Sequence, residues 1–256
     1  MIKIIVHGLG RLGRSVCELA AVSEYKIAAG IDVAPVTDFD FHFPVYTNLA
    51  DCAEAADTET ETVVIIDCSV APAVSGLVSY GLAKKIPLVI CTTALDDGTI
   101  RAIHTAAQEI PIFLSANMSL SIHLMSRLSQ IAAKILSDAG FDIEIIEKHH
   151  HGKLDAPSGT ANMLAEGIID VLGPRDLVYD RSGRRQRRGA GEIGMHAIRG
   201  GSMAGEHTVL FAGAGETLEI THNASSREIY AQGILRAAEF VAAKPAGLYG
   251  MDDLLR

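Results

Sequence analysis

The first half of the chain alternates short apolar segments with longer segments in which apolar residues recur at helical spacing. Each short segment is a nearly continuous run of aliphatic, mostly β-branched residues, which is typical of strands buried on both faces. The predicted strands cover residues 2–7, 26–32, 62–68, 87–92 and 112–114, and the predicted helices cover 11–22, 71–85 and 96–109. Short buried strands that alternate with helices of this length predict a parallel sheet with helices on both sides.

The pattern changes near residue 118. After a helical segment over 118–137, residues 142–148 alternate polar and apolar side chains, which is typical of a strand with one covered face. Further strands are predicted over 192–199, 206–211 and 216–221, and further helices over 158–172 and 227–243. This part of the chain therefore predicts an α+β unit with a mixed or antiparallel sheet.

Composition narrows the class of protein. Apolar residues make up 48% of the 256 residues and charged residues 21%, which indicates a globular chain rather than a disordered one. The formal net charge of −9 disfavours nucleic-acid binding, because the overall field repels a phosphate backbone. No apolar run reaches the length of a secretory signal or a membrane span, and the four cysteines lack CxxC spacing. We expect a cytoplasmic protein with free thiols and without a membrane partner.

A GxGxxG motif follows the first predicted strand and begins the first predicted helix. It consists of Gly8, Leu9, Gly10, Arg11, Leu12 and Gly13. In such a loop the glycines permit a tight turn, a close approach to a pyrophosphate and close helix packing, while the helix N-terminus supplies N–H donors. Asp32 ends the next predicted strand, where a carboxylate can accept hydrogen bonds from a ribose. Together they favour a dinucleotide site over a coincidental glycine-rich turn.

Asp32 also affects the choice of dinucleotide. A carboxylate at this position accepts hydrogen bonds from the ribose of NADH and repels the 2′-phosphate of NADPH. Residues 33–35 add no cation that would offset this repulsion. We therefore expect NADH to be favoured, with NADPH possible through Arg11 or Arg14.

The densest group of reactive side chains lies between Glu147 and Ala161, where the sequence reads EKHHHGKLDAPSGTA. Three adjacent histidines suggest a metal, but neighbours on an extended chain point to opposite faces, and no HxxxH or HExxH spacing occurs. We therefore expect no metal site. A histidine proton donor, the Lys153 cation and the N–H groups of the following helix suit a small anionic substrate. The alternative is a solvated surface loop in which Ser158 only caps the helix.

The same segment resembles the signature of the 4-hydroxy-tetrahydrodipicolinate reductase (dihydrodipicolinate reductase) family, which is close to E-x-H-H-x-x-K-x-D-A-P-S-G-T-A. The resemblance extends over the whole chain and includes Gly200-Gly201, Gly205-Glu206-His207 and Ser226-Arg227. It implies a Rossmann-type dinucleotide-binding domain with an inserted α+β domain that binds substrate and forms a homotetramer. It also implies NAD(P)H-dependent reduction of 4-hydroxy-tetrahydrodipicolinate to tetrahydrodipicolinate, with loss of water, in lysine and diaminopimelate biosynthesis.

The resemblance implies roles for individual residues. His149 would be the acid/base group and Lys153 the proton donor. The dicarboxylate substrate would be bound by His150, Lys153, Ser158, Gly159 and Thr160. The cofactor would be bound by the loop from Gly8 to Gly13, by Asp32, and by Cys91, Thr92, Thr93, Ser115, Ala116, Asn117 and Met118. Cys91 and Ala94 replace glycines of a G-T-T-G segment that is usual in the family.

These motifs divide the chain by function. We expect residues 1–118 and 228–256 to form the dinucleotide-binding domain, and residues 119–227 to form the substrate-binding and tetramerisation domain. Two other hypotheses are another two-domain NAD-dependent oxidoreductase of small carboxylates and a non-catalytic nucleotide-sensing protein. The 147–161 segment argues against the first, and the presence of both His149 and Lys153 argues against the second.

A basic segment from Arg181 to Arg188 contains five arginines in eight residues. Such segments usually form solvated loops, and this one contains no aromatic residues that would stack on bases. A solvated loop is therefore favoured over a nucleic-acid site. The third interpretation is a basic rim that attracts an anionic substrate or cofactor.

Overall fold

A computed structural model describes residues 2–34, 40–52, 55, 62–226 and 228–255. The chain forms two compact units, one from Met1–Leu120 with Glu228–Arg256 and the other from Ser121–Arg227. Two residues named above lie outside the described residues: Pro35, which follows Asp32 without adding a cation, and Arg227, which belongs to the family resemblance.

The described part of the chain forms strands and helices in the following order. The strands are β1 (Ile2–His7), β2 (Lys26–Ile31), β3 (Val45–Tyr46), β4 (Thr62–Asp67), β5 (Leu88–Ile90), β6 (Pro111–Leu114), β7 (Asp142–His149), β8 (Asp176–Val178), β9 (Glu192–Arg199), β10 (Gly205–Ala212), β11 (Thr217–Ala224) and β12 (Gly247–Tyr249). The helices are α1 (Arg11–Ala21), α2 (Ala71–Lys84), α3 (Asp97–Ala106), α4 (Leu120–Asp138), α5 (Gly159–Leu172), α6 (Glu228–Ala242) and α7 (Met251–Leu254).

The first unit is built on a parallel sheet with the strand order β12-β6-β5-β4-β1-β2-β3. Successive side chains of β1 enter two separate apolar cores, since strand side chains alternate between faces. Ile4 packs in a core that contains Val16 of α1, whereas Ile5 packs in a core that contains Leu77 of α2 and Ile103 of α3. Both faces are therefore buried, which explains the continuous apolar segments and confirms the predicted parallel sheet.

The C-terminal elements belong to this first unit. Ile234 and Ala238 of α6 are fully buried in the same core as Ile4, and α6 packs against α1. A Cβ atom on Gly233 would overlap the carbonyl oxygen of Met118, so this glycine permits close packing. β12 then pairs with β6 at the edge of the sheet. Residues far apart in sequence thus form one core.

The second unit is built on a mixed sheet with the strand order β11-β10-β7-β9-β8. β7 is parallel to β9 and antiparallel to β10. Its side chains alternate in burial, and Ile143 and Ile145 pack in a core with Ile122 of α4 and Leu164 of α5. The mixed sheet predicted from the alternating pattern is confirmed.

Two details differ from the sequence predictions. Leu124 and Leu128, apolar residues of the helix predicted over 118–137, are 47% and 45% exposed rather than buried, because they lie on the side of α4 away from its buried residues. The short strands β3, β8 and β12 were not predicted, since two or three residues have no measurable periodicity. No described helix is long and apolar enough to cross a membrane.

Candidate active site

The glycine loop connects β1 to α1, and two of its three glycine positions leave no space for a side chain. Gly8 has a φ of 91°, and a Cβ atom there would lie 2.7 Å from backbone atoms of Cys68. A Cβ atom on Gly13 would overlap the carbonyl oxygen of Gly8, whereas one on Gly10 would meet nothing within 4 Å. α1 begins without a side-chain cap or an acidic residue in its first turn. Its N-terminus therefore suits an anion that approaches Gly10.

Asp32 follows β2, and its carboxylate is bound to the glycine loop. Its Oδ2 accepts a hydrogen bond from the Leu9 backbone N–H at 2.7 Å. A cavity of 180 Å³ lies beside it, lined by residues that include Gly8, Gly10 and Ser69. A carboxylate acceptor beside an open glycine backbone fits the ribose and the pyrophosphate of a dinucleotide.

Asp67, which was not predicted as a site residue, forms a buried network at the carboxyl ends of three neighbouring strands. Its Oδ1 lies 3.0 Å from His7 Nδ1 and accepts from Ser69 Oγ at 2.5 Å, while its Oδ2 accepts from Thr92 Oγ1 at 2.6 Å. The Thr92 hydroxyl, part of the predicted cofactor site, is therefore hydrogen-bonded to the buried Asp67 carboxylate. The available sequence signal was an acidic residue at the end of an otherwise apolar strand.

The segments that follow β5 and β6 contain the other predicted cofactor residues. Thr93 and Ala116 are exposed there. Ser115 Oγ donates to the carbonyl oxygen of Asn117 at 2.7 Å, which holds the second segment in a tight turn. Both segments follow strand ends at the sheet edge that also carries the glycine loop, where ligands of open parallel sheets bind.

Cys91 and Met118 differ from these residues because their side chains are buried. Met118 is 3% exposed and packs in the apolar core with α6. A hydrogen bond with Cys68, followed by burial, raises the pKa of the Cys91 thiol well above its usual value. The Cys91 side chain is therefore a neutral thiol at neutral pH.

In the second unit, His149 ends β7 on the same strand face as Glu147. Its Nδ1 lies 2.5 Å from Glu147 Oε2, and Glu147 is 1% exposed. Arg199 donates to both carboxylate oxygens, at 2.6 and 2.8 Å. Burial raises the pKa of Glu147, but hydrogen bonds from Arg199 and His149 outweigh it and lower this pKa below its usual value. The result is a buried, ionised carboxylate in contact with the predicted acid/base group.

Ser158 and His207 complete this buried cluster. The Ser158 backbone N–H donates to Glu147 Oε1 at 3.1 Å, and its hydroxyl caps α5 by accepting from the Ala161 N–H at 3.2 Å. The same hydroxyl lies 3.0 Å from His207 Nε2, and the His207 ring is 5.2 Å from the His149 ring. Burial, followed by the nearby charge of His149, lowers the pKa of His207 to about 4. His207 is therefore neutral at neutral pH.

Lys153 lies in the loop between β7 and α5. Its Nζ forms an ion pair with Asp155 Oδ1 at 2.8 Å, and the hydrogen bond from Lys153 lowers the pKa of Asp155. Arg199 donates to the backbone oxygen of Asp155 at 2.6 Å. One guanidinium therefore binds both the buried Glu147 carboxylate and the loop that carries Lys153.

The remaining predicted substrate residues lie on either side of Lys153. The His150 N–H donates to the Met203 carbonyl at 2.8 Å, which anchors the start of the loop. α5 begins at Gly159, where an added Cβ atom would meet nothing within 4 Å, and Thr160 is half-buried in the first turn. The first turn contains no acidic residue, so its N–H groups and dipole suit a carboxylate.

Glu147, Arg199 and His207 were not predicted as site residues, although Glu147 and His207 lie in the stretches that carried the resemblance. A signal for Glu147 was present, because the alternation of β7 places position 147 on the same face as Ile143 and Ile145. An acidic residue on a buried face needs a cationic or hydrogen-bonding partner. The sequence did not identify that partner.

Family profiles match almost the whole chain. The profile described as "Dihydrodipicolinate reductase, N-terminus" matches residues 2–118, and that described as "Dihydrodipicolinate reductase, C-terminus" matches residues 121–255. The chain belongs to the dihydrodipicolinate reductase family. It is an enzyme of the NAD(P)H-dependent oxidoreductase class, as the resemblance implied.

Individual relatives agree with this assignment. The 4-hydroxy-tetrahydrodipicolinate reductase of Caldanaerobacter subterraneus subsp. tengcongensis is 45% identical, covering 100% of this chain and 99% of the relative. The reductase of the same name from Clostridium tetani is 42% identical, covering 100% and 97%. The structure of dipicolinate-bound dihydrodipicolinate reductase from Paenisporosarcina sp. TG-14 has a TM-score of 0.82 at 23% identity and covers 99% of each chain, so it has the same fold.

The basic segment is only partly a solvated loop. Arg188 donates to Glu144 at 3.0 Å and to Asp142 at 2.7 Å, and Arg181 forms an ion pair with Glu192. The three arginines between them are exposed. The prediction of a solvated loop is therefore wrong for the first and last arginines, whose carboxylate partners lie on neighbouring strands.

Proposed function

We propose that this enzyme reduces 4-hydroxy-tetrahydrodipicolinate to tetrahydrodipicolinate, with loss of water, in lysine and diaminopimelate biosynthesis. The observation that carries this proposal is the cluster of His149, Glu147 and Arg199 next to the Lys153 loop, in a chain of this family. This cluster supplies a proton donor, and the loop and the start of α5 supply groups that bind carboxylates.

In the proposed reaction, the nucleotide and the chain's own residues have separate roles. A pyridine nucleotide bound by the glycine loop and Asp32 would supply the hydride that reduces the conjugated imine, which forms as the substrate loses water. Lys153, His150 and the N–H groups of Gly159 and Thr160 at the start of α5 bind the two substrate carboxylates. Ser158 was predicted to bind substrate as well, but it is buried and its N–H donates to Glu147, so it holds the start of this helix instead. His149 or Lys153 delivers the proton to the nitrogen system of the reduced ring. The substrate gains one hydride and one proton and loses one water molecule, so the reaction balances.

The second proposal concerns the cofactor, for which we favour NADH over NADPH. The glycine loop from Gly8 to Gly13 would hold the pyrophosphate, Asp32 the ribose, and the segments after β5 and β6 the nicotinamide end. Asp32 already binds the Leu9 N–H, and a carboxylate in this position disfavours a 2′-phosphate. Arg11 and Arg14 are the cations that would permit NADPH.

The third proposal concerns the assembly and its location. On the basis of the family resemblance, we propose a homotetramer that assembles through the second unit. We also propose that the enzyme is cytoplasmic, because its four cysteines are free thiols, which are usual in a reducing compartment.

The function is tested by following the loss of the reduced nicotinamide absorbance with freshly generated 4-hydroxy-tetrahydrodipicolinate. We expect oxidation of NADH, with a KM about fivefold or more below that of NADPH, because one unfavourable charge contact costs about 1 kcal/mol. Asp32→Asn keeps an acceptor for Leu9 and removes the charge, so this ratio should move towards one. No oxidation of either cofactor would contradict the function, whereas a lower KM for NADPH would contradict only the cofactor proposal.

A further inference from the structure

We propose that Glu147 is a positioning residue that fixes the tautomer and orientation of His149, and that Arg199 keeps Glu147 ionised for this task. The inference rests on the proposed function, in which His149 is the acid/base group. It goes beyond that function by assigning a role to a carboxylate that does not contact the substrate.

The contact with Glu147 determines which nitrogen of the neutral His149 ring carries the proton. An ionised carboxylate accepts hydrogen bonds and cannot donate them. The contact of 2.5 Å between Glu147 Oε2 and His149 Nδ1 therefore places a proton on Nδ1. In the neutral ring Nε2 then has no proton and can accept one, and in the charged ring Nε2 donates. The Glu147 carboxylate thus directs the acid/base chemistry to Nε2.

The space beside Nε2 of His149 depends on a glycine. Gly205 of β10 lies next to this nitrogen, and a Cβ atom on Gly205 would be 3.1 Å from it. The absence of a side chain at position 205 leaves room at the nitrogen that the tautomer makes reactive. The Glu147 contact and the missing side chain at Gly205 therefore both favour acid/base chemistry at Nε2.

Glu147 itself is held rigidly by hydrogen bonds. Arg199 and the Ser158 N–H donate to its Oε1, while Arg199 and His149 donate to its Oε2. Four donors on one buried carboxylate hold it in a single rotamer. The two hydrogen bonds from the Arg199 guanidinium also fix the orientation of the carboxylate plane. Such a carboxylate can orient an imidazole in the way that a third group orients a catalytic base.

The charged groups around His149 agree with this role. Glu147 faces the ring from its own strand, and Arg199 binds both oxygens of that carboxylate. The neutral His207 faces the ring from β10. The loop contributes Lys153, whose Nζ is paired with Asp155. Glu147 is thus the ionised acceptor in direct contact with His149.

A purely structural role for Glu147 has different consequences, and the experiment must separate the two. Removing Glu147 leaves the half-buried Arg199 cation without its carboxylate partner, which destabilises a protein by itself. Glu147→Gln keeps the shape of the side chain, but its amide can donate to His149 Nδ1 and so favour the opposite tautomer. The double variant Glu147→Gln/Arg199→Gln also removes the unpaired charge.

The test combines kinetics with nitrogen NMR of the His149 ring, whose signals are assigned by their loss in His149→Asn. For Glu147→Gln we expect kcat to fall by at least about tenfold, with the substrate KM changed by less than about threefold. We also expect the ring proton to move from Nδ1 to Nε2. The double variant should recover resistance to urea but not kcat.

The chain offers a matched control on the same strand. Glu144 also binds an arginine and a histidine, with Arg188 Nε at 3.0 Å and His196 Nε2 at 2.7 Å. Glu144→Gln removes the same kind of charge without touching His149. We expect its kcat to stay within about twofold of the wild-type value.

Three results would overturn the proposal. These are a wild-type kcat in Glu147→Gln, a lowered kcat with an unchanged His149 tautomer, or recovery of kcat in the double variant. Absence of activity in the wild-type enzyme would contradict the proposed function instead, and the tautomer shift would still test the effect of Glu147 on His149.

Discussion

Gly205, at the start of β10, shows how a missing side chain shapes the site at the scale of a single residue. A Cβ atom there would lie 3.1 Å from His149 Nε2 and 3.4 Å from Cδ2 of the same ring. Gly205 is not among the residues with positive φ, so its backbone accepts alanine. The requirement for glycine at position 205 is therefore a matter of space beside His149.

We predict that Gly205→Ala lowers kcat/KM by about tenfold or more while costing about 1–2 kcal/mol of unfolding free energy, because the added methyl group displaces the His149 ring. Steady-state kinetics and urea unfolding measure the two effects. Gly191→Ala is the control, since a Cβ atom on Gly191 would meet nothing within 4 Å. Wild-type kcat/KM in the Gly205 variant would show that Nε2 does not need this space.

At the scale of elements, the turn that follows β5 contains a residue in an unfavourable backbone conformation. Ala94 has a φ of 57°, in the left-handed region that favours glycine. A non-glycine residue there costs about 1–2 kcal/mol. The structure thus gives a physical reason for the glycine that is usual at this position in the family.

We predict that Ala94→Gly raises the unfolding free energy by about 0.5–1 kcal/mol, since the relief of strain exceeds the added entropy of the unfolded chain. Urea unfolding measures the change. Ala102→Gly in α3 is the matched control and should lower the unfolding free energy by about 1 kcal/mol, because glycine is unfavourable inside a helix. If both variants lost stability equally, Ala94 would not be strained.

At the scale of the whole molecule, the pH dependence of stability should depend strongly on one buried histidine. The folded-state pKa of His207 is about 4, against a usual value of 6.5. The unfolded chain therefore binds this proton more readily, so the contribution of His207 to stability is complete above about pH 6.5 and is lost as the pH falls towards 4. Burial also lowers the pKa of His222, which adds to the same trend. The lowered pKa values of Glu147 and Asp155 act at lower pH.

We predict that the unfolding free energy of the second unit falls by about 2 kcal/mol more between pH 7 and pH 5 in the wild type than in His207→Gln. Urea unfolding at the two pH values measures the difference. His104→Gln, which changes an exposed histidine of α3, should keep the wild-type pH dependence. An equal loss of stability in wild type and His207→Gln would contradict the assigned role of His207.

Local patterns predicted much of this protein. The continuous apolar segments predicted the parallel sheet, and the alternation over 142–148 predicted the mixed one, because the burial of a strand determines which of its positions are apolar. The glycine motif predicted a loop that Gly8 and Gly13 make sterically necessary. Strands such as β12 exist because they pair with a neighbour, and a segment of three residues does not reveal this pairing.

Periodicity and short motifs are local properties of the chain, and they were enough to predict the two types of sheet and the family and to select His149 and Lys153 as candidate site residues. Only tertiary packing assembled the side chains that surround the His149–Glu147 pair. Arg199 is 52 residues from Glu147, and His207 is 49 residues from Ser158. These side chains meet because β9 and β10 pair with opposite edges of β7 in a particular register. Because packing of the whole unit sets that register, it cannot be predicted from local sequence patterns.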